Sequence, residues 1–287
     1  MFNLFSKISL SALLTVVSLS VVNSMAAGEC YDFCETSSCD LCEPSNRMYI
    51  GGFGGGIYSN SSKMTQQGTA FFTEDEGGPL AVIAEGHTKS TSAGFGGAQI
   101  GYEWSRPIGC SGWTLAPALE LEAYWYSHTK KGHLINSTDI DRLPEHDFLD
   151  TFKLNTGVYL ANLVFSVNNP CFSGLTPYVG VGVGVTRISI KNADSLQVAP
   201  VEAGVNHFNS KRHDSTWAFA AQAKAGLRIN ICQSIHLFGE YRYLFVDSSN
   251  YIFGSTVYPT HAPTSPWNVK INNIQSNAFA VGIQFDI

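Results

Sequence analysis

The chain has 287 residues, a formal net charge of −6 and 14% charged residues, against about a quarter in an ordinary soluble domain. The acidic balance, with no clustered basic patch, argues against a nucleic-acid partner. Beyond the N-terminal segment no run reaches the roughly 18 consecutive apolar residues of a spanning helix, which excludes a helical membrane protein.

In chain order, residues 1–27 read as a secretory signal peptide. Lys7 supplies the positive region, residues 8–22 the apolar core, and Ser24-Met25-Ala26 the small-residue cleavage site. Glu29 before Cys30 does not fit a lipoprotein signal, so cleavage is expected near Ala26 or Ala27. Residues 28–46 form a cysteine-rich segment expected in the periplasm, and residues 47–287 read as one barrel domain.

Strands are predicted at 48–60, 92–105, 113–130, 152–167, 176–191, 217–231, 235–248 and 271–287. Each is long enough for the roughly 9–11 tilted residues that cross a bilayer. The connections 106–112, 168–175 and 232–234 are short, whereas 61–91, 131–151, 192–216 and 249–270 are long. Short periplasmic turns and long polar outer loops are the pattern of an outer-membrane barrel. An even strand count puts both ends of the barrel in the periplasm.

Side chains along a strand alternate between faces. In the last segment Phe279, Val281, Ile283, Phe285 and Ile287 alternate with Ala280, Gly282, Gln284 and Asp286. Segment 217–231 sets Trp217, Phe219, Leu227, Ile229 and Ile231 against Gln222, Lys224, Gly226, Arg228 and Asn230. Segment 176–191 puts Val179, Val181, Val183 and Val185 outward, with Gly180, Gly182 and Gly184 inward where a small barrel is crowded. Segment 113–130 opposes Leu115, Leu119, Leu121 and Trp125 to Ala118, Glu120, Glu122 and Tyr124. Asn162 interrupts the pattern around residues 160–164, which predicts a bulge there. Trp104, Trp113 and Tyr178 at one set of strand ends, and Trp125, Trp217, Tyr243 and Phe245 at the other, read as two interfacial girdles.

Together these features give an all-β, transmembrane, eight-stranded antiparallel up-and-down barrel. The chain resembles the small OmpA-like, OmpX-like and opacity-type barrels over residues 48–287. The resemblance rests on this architecture, on Thr176-Pro177-Tyr178-Val179-Gly180-Val181-Gly182-Val183-Gly184 and on Gly239-Glu240-Tyr241-Arg242-Tyr243. It implies a bacterial outer-membrane location, without the peptidoglycan-binding domain of two-domain relatives. The soluble alternative is a lipocalin-like barrel, which would carry charges outside and apolar residues inside. The glycine-rich, lysine-poor polar face speaks against it.

All seven cysteines fall on the expected periplasmic side: Cys30, Cys34, Cys39 and Cys42 before the first strand, and Cys110, Cys171 and Cys232 at the short turns. An oxidising compartment makes disulfides the default, with connectivity left open by the sequence. Because the number is odd, either one thiol stays free beside three internal bridges, or it bonds a partner in the envelope. A zinc knot on Cys39-Asp40-Leu41-Cys42 lacks a matching second pair, so no metal is expected.

Glu103, Glu120, Glu122, Lys224, Arg228, Glu240 and Arg242 project inward on this register. Buried charges must be paired or hydrated, so the set reads either as a satisfied plug or as the lining of a narrow ion path. Ser127 and His128 are the one pairing considered for catalysis, but neighbours in a strand face opposite ways, and no enzymatic activity or cofactor is expected. His87, His128, His133, His146, His207, His213 and His261 read as solvated loop residues. The glycine-rich stretch 51–56 lacks the Lys-Ser/Thr and helix of a phosphate loop. The expected role is structural: a surface-exposed protein in contact with outer-membrane lipid and lipopolysaccharide, whose loops meet host or neighbouring-cell ligands. The alternative is a low-conductance porin with a charged lumen.

Overall fold

The computed structural model of the protein describes residues 46–287 apart from 74, 76–77, 109–112, 137–145, 169–173 and 233. The expected signal segment and Cys30, Cys34, Cys39, Cys42, Cys110 and Cys171 lie outside the described residues, as does the side chain of Cys232. The described residues form thirteen strands: β1 (Arg47–Ser59), β2 (Lys63–Phe71), β3 (Pro79–Thr88), β4 (Thr91–Glu103), β5 (Arg106–Pro107), β6 (Thr114–Asn136), β7 (Asp147–Asn168), β8 (Leu175–Ala199), β9 (Asp214–Cys232), β10 (Ile235–Val246), β11 (Ser249–Phe253), β12 (Trp267–Ile271) and β13 (Ile274–Asp286). No helix among the described residues is long and apolar enough to cross a membrane.

Eight of the strands pair antiparallel in a closed ring, in the order β1, β4, β6, β7, β8, β9, β10, β13. The ring shuts where β13 pairs β1, from Tyr49 opposite Asp286 to Ser59 opposite Ser276. Closure leaves no unpaired edge, which is what lets a sheet sit in lipid. The apolar parity of each strand points outward: Val181 is 59% exposed, Leu121 58%, Trp217 57% and Val281 70%. The polar parity points inward, with Gln99, Glu120, Gln222, Lys224, Glu240 and Gln284 all buried. That inversion excludes the lipocalin arrangement. On β6 the oily exterior spans residues 115–125, close to the length that crosses a bilayer. Outward Ser127, Lys131 and His133 are exposed beyond it.

The long connections are not the polar loops expected. β6, β7 and β8 run well past the belt, and residues 61–91 and 249–270 fold into β2, β3, β11 and β12. Above the belt β6 leaves β4 and takes β3 as its neighbour, from Ala84 opposite Asn136 to Thr88 opposite Gly132. The sheet then continues through β2, β12 and β11. This upper part, the head, closes over an apolar core that includes Met64, Leu134, Phe148, Phe152, Phe208, Tyr251, Phe253 and Trp267. The reason is in the pattern: β11 and β12 alternate buried and exposed residues, Tyr251 and Phe253 in, Val269 and Ile271 in. Such short runs resemble loop sequence until a neighbouring strand fixes their register.

Two further expectations are corrected. No bulge occurs at Asn162, which pairs in register with Gly182 and Glu120; the irregularities of β7 lie at Asp147/Phe148 and Thr151/Lys153. Asn162 is an inward polar residue on the same parity as Leu160 and Val164. Tyr178 belongs to no girdle. It faces the interior and is 7% exposed, because it shares the inward parity of Gly180 and Gly182.

Candidate functional site

The interior of the barrel carries the chemistry. On β6, Glu120 and Glu122 occupy successive inward positions; on β9, Lys224 and Arg228 face inward with Gly226 between them; on β10, Glu240 and Arg242 are neighbours on the inward face. Ring closure brings them together. Lys224 Nζ lies 2.5 Å from Glu120, 3.4 Å from Glu122 and 3.8 Å from Glu240. Arg242 reaches Glu122 at 2.7 Å and donates from Nε to Glu240 at 2.6 Å. Glu103 and Arg228 form a separate pair at 3.2 Å toward the barrel mouth. So all seven charged positions singled out in the sequence make direct ion pairs, five of them in the central cluster and two in the Glu103–Arg228 pair.

Several partners escaped the sequence reading. Tyr49 donates to Glu120 (3.0 Å), Asn162 to Glu120 (2.9 Å) and Tyr178 to Glu240 (2.9 Å). These neutral donors matter because three carboxylates here face two cations, and a buried charge without compensation is costly. At the mouth Arg47 bridges Glu103 (2.6 Å) and Asp286 (2.9 Å), and His236 meets the same Asp286 carboxylate at 2.9 Å. The usable signal was parity: Arg47 and Tyr49 share the inward face with Phe53, and His236 shares it with Glu240.

Aromatic rings seal the cluster. Phe53 meets Phe95, Tyr124 and Phe238 edge-on at 6.2–6.5 Å, and the Arg242 guanidinium sits 4.1 Å from the Phe53 ring centre. A cation held against a ring face gains electrostatically and shields its stem from water. Beyond this layer the interior continues into Tyr126, Leu244 and Val158, and then into the head core.

Ser127 and His128 are poorly placed as a dyad: Ser127 bonds Asn155 Oδ1 at 2.9 Å on the outer face, while His128 stacks inside on Tyr126, rings 5.6 Å apart. The histidines do not all belong to solvated loops, contrary to expectation. His207 is 2% exposed, its Nδ1 is 3.1 Å from Ser195 O, and the Phe148 and Trp267 rings pack against it. Burial pushes its imidazole down to about 4. The chain's fold over β11 and β12 is what removes it from water. The residues flanking three of the cysteines, at 108 and 113, at 168 and 174, and at 231 and 234, lie at the strand ends shared with Arg47.

No family model and no curated protein matches this sequence. Among solved structures, OprG from Pseudomonas aeruginosa is 11% identical, covering 83% of this chain and 96% of that one, with a TM-score of 0.43. The outer membrane protease OmpT from Escherichia coli is 10% identical over 87% and 100%, with a TM-score of 0.38. Neisserial surface protein A is 14% identical over 83% and 96%, with a TM-score of 0.36. The overlaps are loose, so the assignment rests on the chain's own pairings and faces. A closed ring of eight antiparallel strands, oily outside and charged inside, makes this chain a transmembrane β-barrel protein of the bacterial outer membrane.

Proposed function

We propose that the protein is a sealed structural barrel that holds a packed head at the cell surface for contact with neighbouring or host surfaces. The observation that carries this reading is the continuous filling of the interior. The Glu120–Glu122–Lys224–Glu240–Arg242 cluster is capped by Phe53, Phe95, Tyr124 and Phe238, and the head core follows. Eight strands give a bore that side chains can fill, and here large side chains occupy it. The head offers folded strands to a partner, which lowers the ordering cost of binding relative to mobile loops.

The test is conductance of the refolded protein in planar bilayers. A sealed barrel stays silent when gel migration of unheated samples shows it folded. Steady unitary openings that change when Arg228 or Glu240 is neutralised would replace this reading with that of a low-conductance channel.

A further inference from the structure

We propose that Glu202, His207 and His261 form a binding site for one divalent transition-metal cation of the zinc class, on the head. Glu202 and His207 lie in the connection after β8, and His261 lies in the connection between β11 and β12. Their ligand atoms all fall within 4.8 Å of one another. His207 Nε2 is 3.7 Å and His261 Nε2 3.4 Å from the same carboxylate oxygen, Glu202 Oε2. Four ligands at the roughly 2.0–2.1 Å bonds of tetrahedral zinc stand about 3.3 Å apart. Both histidine–carboxylate separations are close to that spacing, and the third lies within 4.8 Å, so a small movement would bring all three onto one ion.

The hydrogen bonds behind the ligands select the metal-binding tautomer. His207 Nδ1 lies 3.1 Å from Ser195 O, and His261 Nδ1 lies 2.6 Å from Ala262 O. A carbonyl oxygen only accepts, so both Nδ1 atoms carry the hydrogen. In the neutral form each ring turns its Nε2 lone pair toward Glu202, whose carboxylate also only accepts. Three acceptors converge with no donor among them, an arrangement that a cation resolves. A ligating histidine anchored through its other nitrogen to a backbone carbonyl is the usual support of a metal site. Two imidazoles and one carboxylate suit zinc with one position left open. Glu202, with its side chain 32% exposed, leaves a solvent path to that position.

The site is preassembled. Asn209 Nδ2 donates to Val257 O at 2.7 Å, Val257 N donates back to Asn209 Oδ1 at 2.9 Å, and Asn206 N donates to Tyr258 OH at 3.1 Å. These bonds join the two connections on either side of the ligands, so a bound ion would act as a clasp between them.

The experiment uses the full mature chain in detergent micelles, with thiols alkylated and metal stripped by a chelator. Co2+ is titrated first, read by the visible absorption of a tetrahedral complex, and Zn2+ is then used to displace it. One equivalent is expected to bind saturably, and both Glu202→Gln and His261→Gln should weaken it by more than about tenfold. Both side chains are partly exposed, so the variants should keep the gel migration of the folded barrel. Absence of saturable binding, or full-strength binding retained by either folded variant, would overturn the proposal.

Discussion

Replacing Lys224 by Met should cost the folded barrel about 3–5 kcal/mol, the range for removing one partner from a buried ion pair. The ammonium is 2% exposed and touches three carboxylates, at 2.5, 3.4 and 3.8 Å. Without it Glu120, Glu122 and Glu240 keep Arg242 and the neutral donors Tyr49, Tyr178 and Asn162. Methionine is close in length, so the change is chiefly one of charge. With a denaturant slope at the upper end of the range for urea, the unfolding midpoint should fall by roughly 1–2 M. Tryptophan fluorescence of the refolded protein in micelles follows the transition, and the migration of unheated samples scores the folded fraction. Adding Glu120→Gln to the same chain removes one uncompensated charge and should restore much of the loss, a coupling that a double-mutant cycle reads directly. A loss below about 1 kcal/mol would place these groups in a watery environment, where exposed pairs have that worth. The sealed-interior argument would then fail.

A contrast between two glycines tests the crowding of the wall. A Cβ at Gly182 would overlap Asn162 Oδ1 and displace the donor of a buried Glu120, whereas a Cβ at Gly239 meets nothing within 4 Å. Gly182→Ala should destabilise by about 1–3 kcal/mol in the same urea assay, with Gly239→Ala near wild type; equal effects would refute the inward assignment of Gly182. Asp150 tests the head. It is fully buried above the belt, and burial pushes its carboxyl up to about 8, with a Ser195 hydrogen bond opposing and Asp194 adding to the rise. A raised folded pKa gives stability that is whole below the unfolded value of 3.8 and is lost as pH rises through about 8. The thermal midpoint of the wild type should therefore drop between pH 5 and pH 9, and Asp150→Asn should flatten that slope. Identical pH profiles for the two proteins would rule out Asp150 as the titrating group.

The barrel was legible in the sequence because its long strands repeat with period two for many residues. Val179 to Val185 against Gly180 to Gly184 leaves no other face assignment, and the same is true of residues 279–287. The inward placement of Glu120, Lys224 and Glu240 follows from that parity. Tyr178 lies near a strand end, as a girdle residue would, but it shares the inward parity of Gly180 and Gly182, and parity decides its face. The head was not legible. β11 and β12 have five residues each, too few for alternation to stand out, and residues 61–91 carry glycine and polar residues that read as loop.

Sequence by itself determined which side chains share a face, since alternation is a local property of the extended backbone. Tertiary structure decided which faces meet. Lys224 finds Glu120 104 residues away, and His207 finds His261 across two connections. Such meetings depend on ring closure and on strand register, and neither leaves a local mark on the chain.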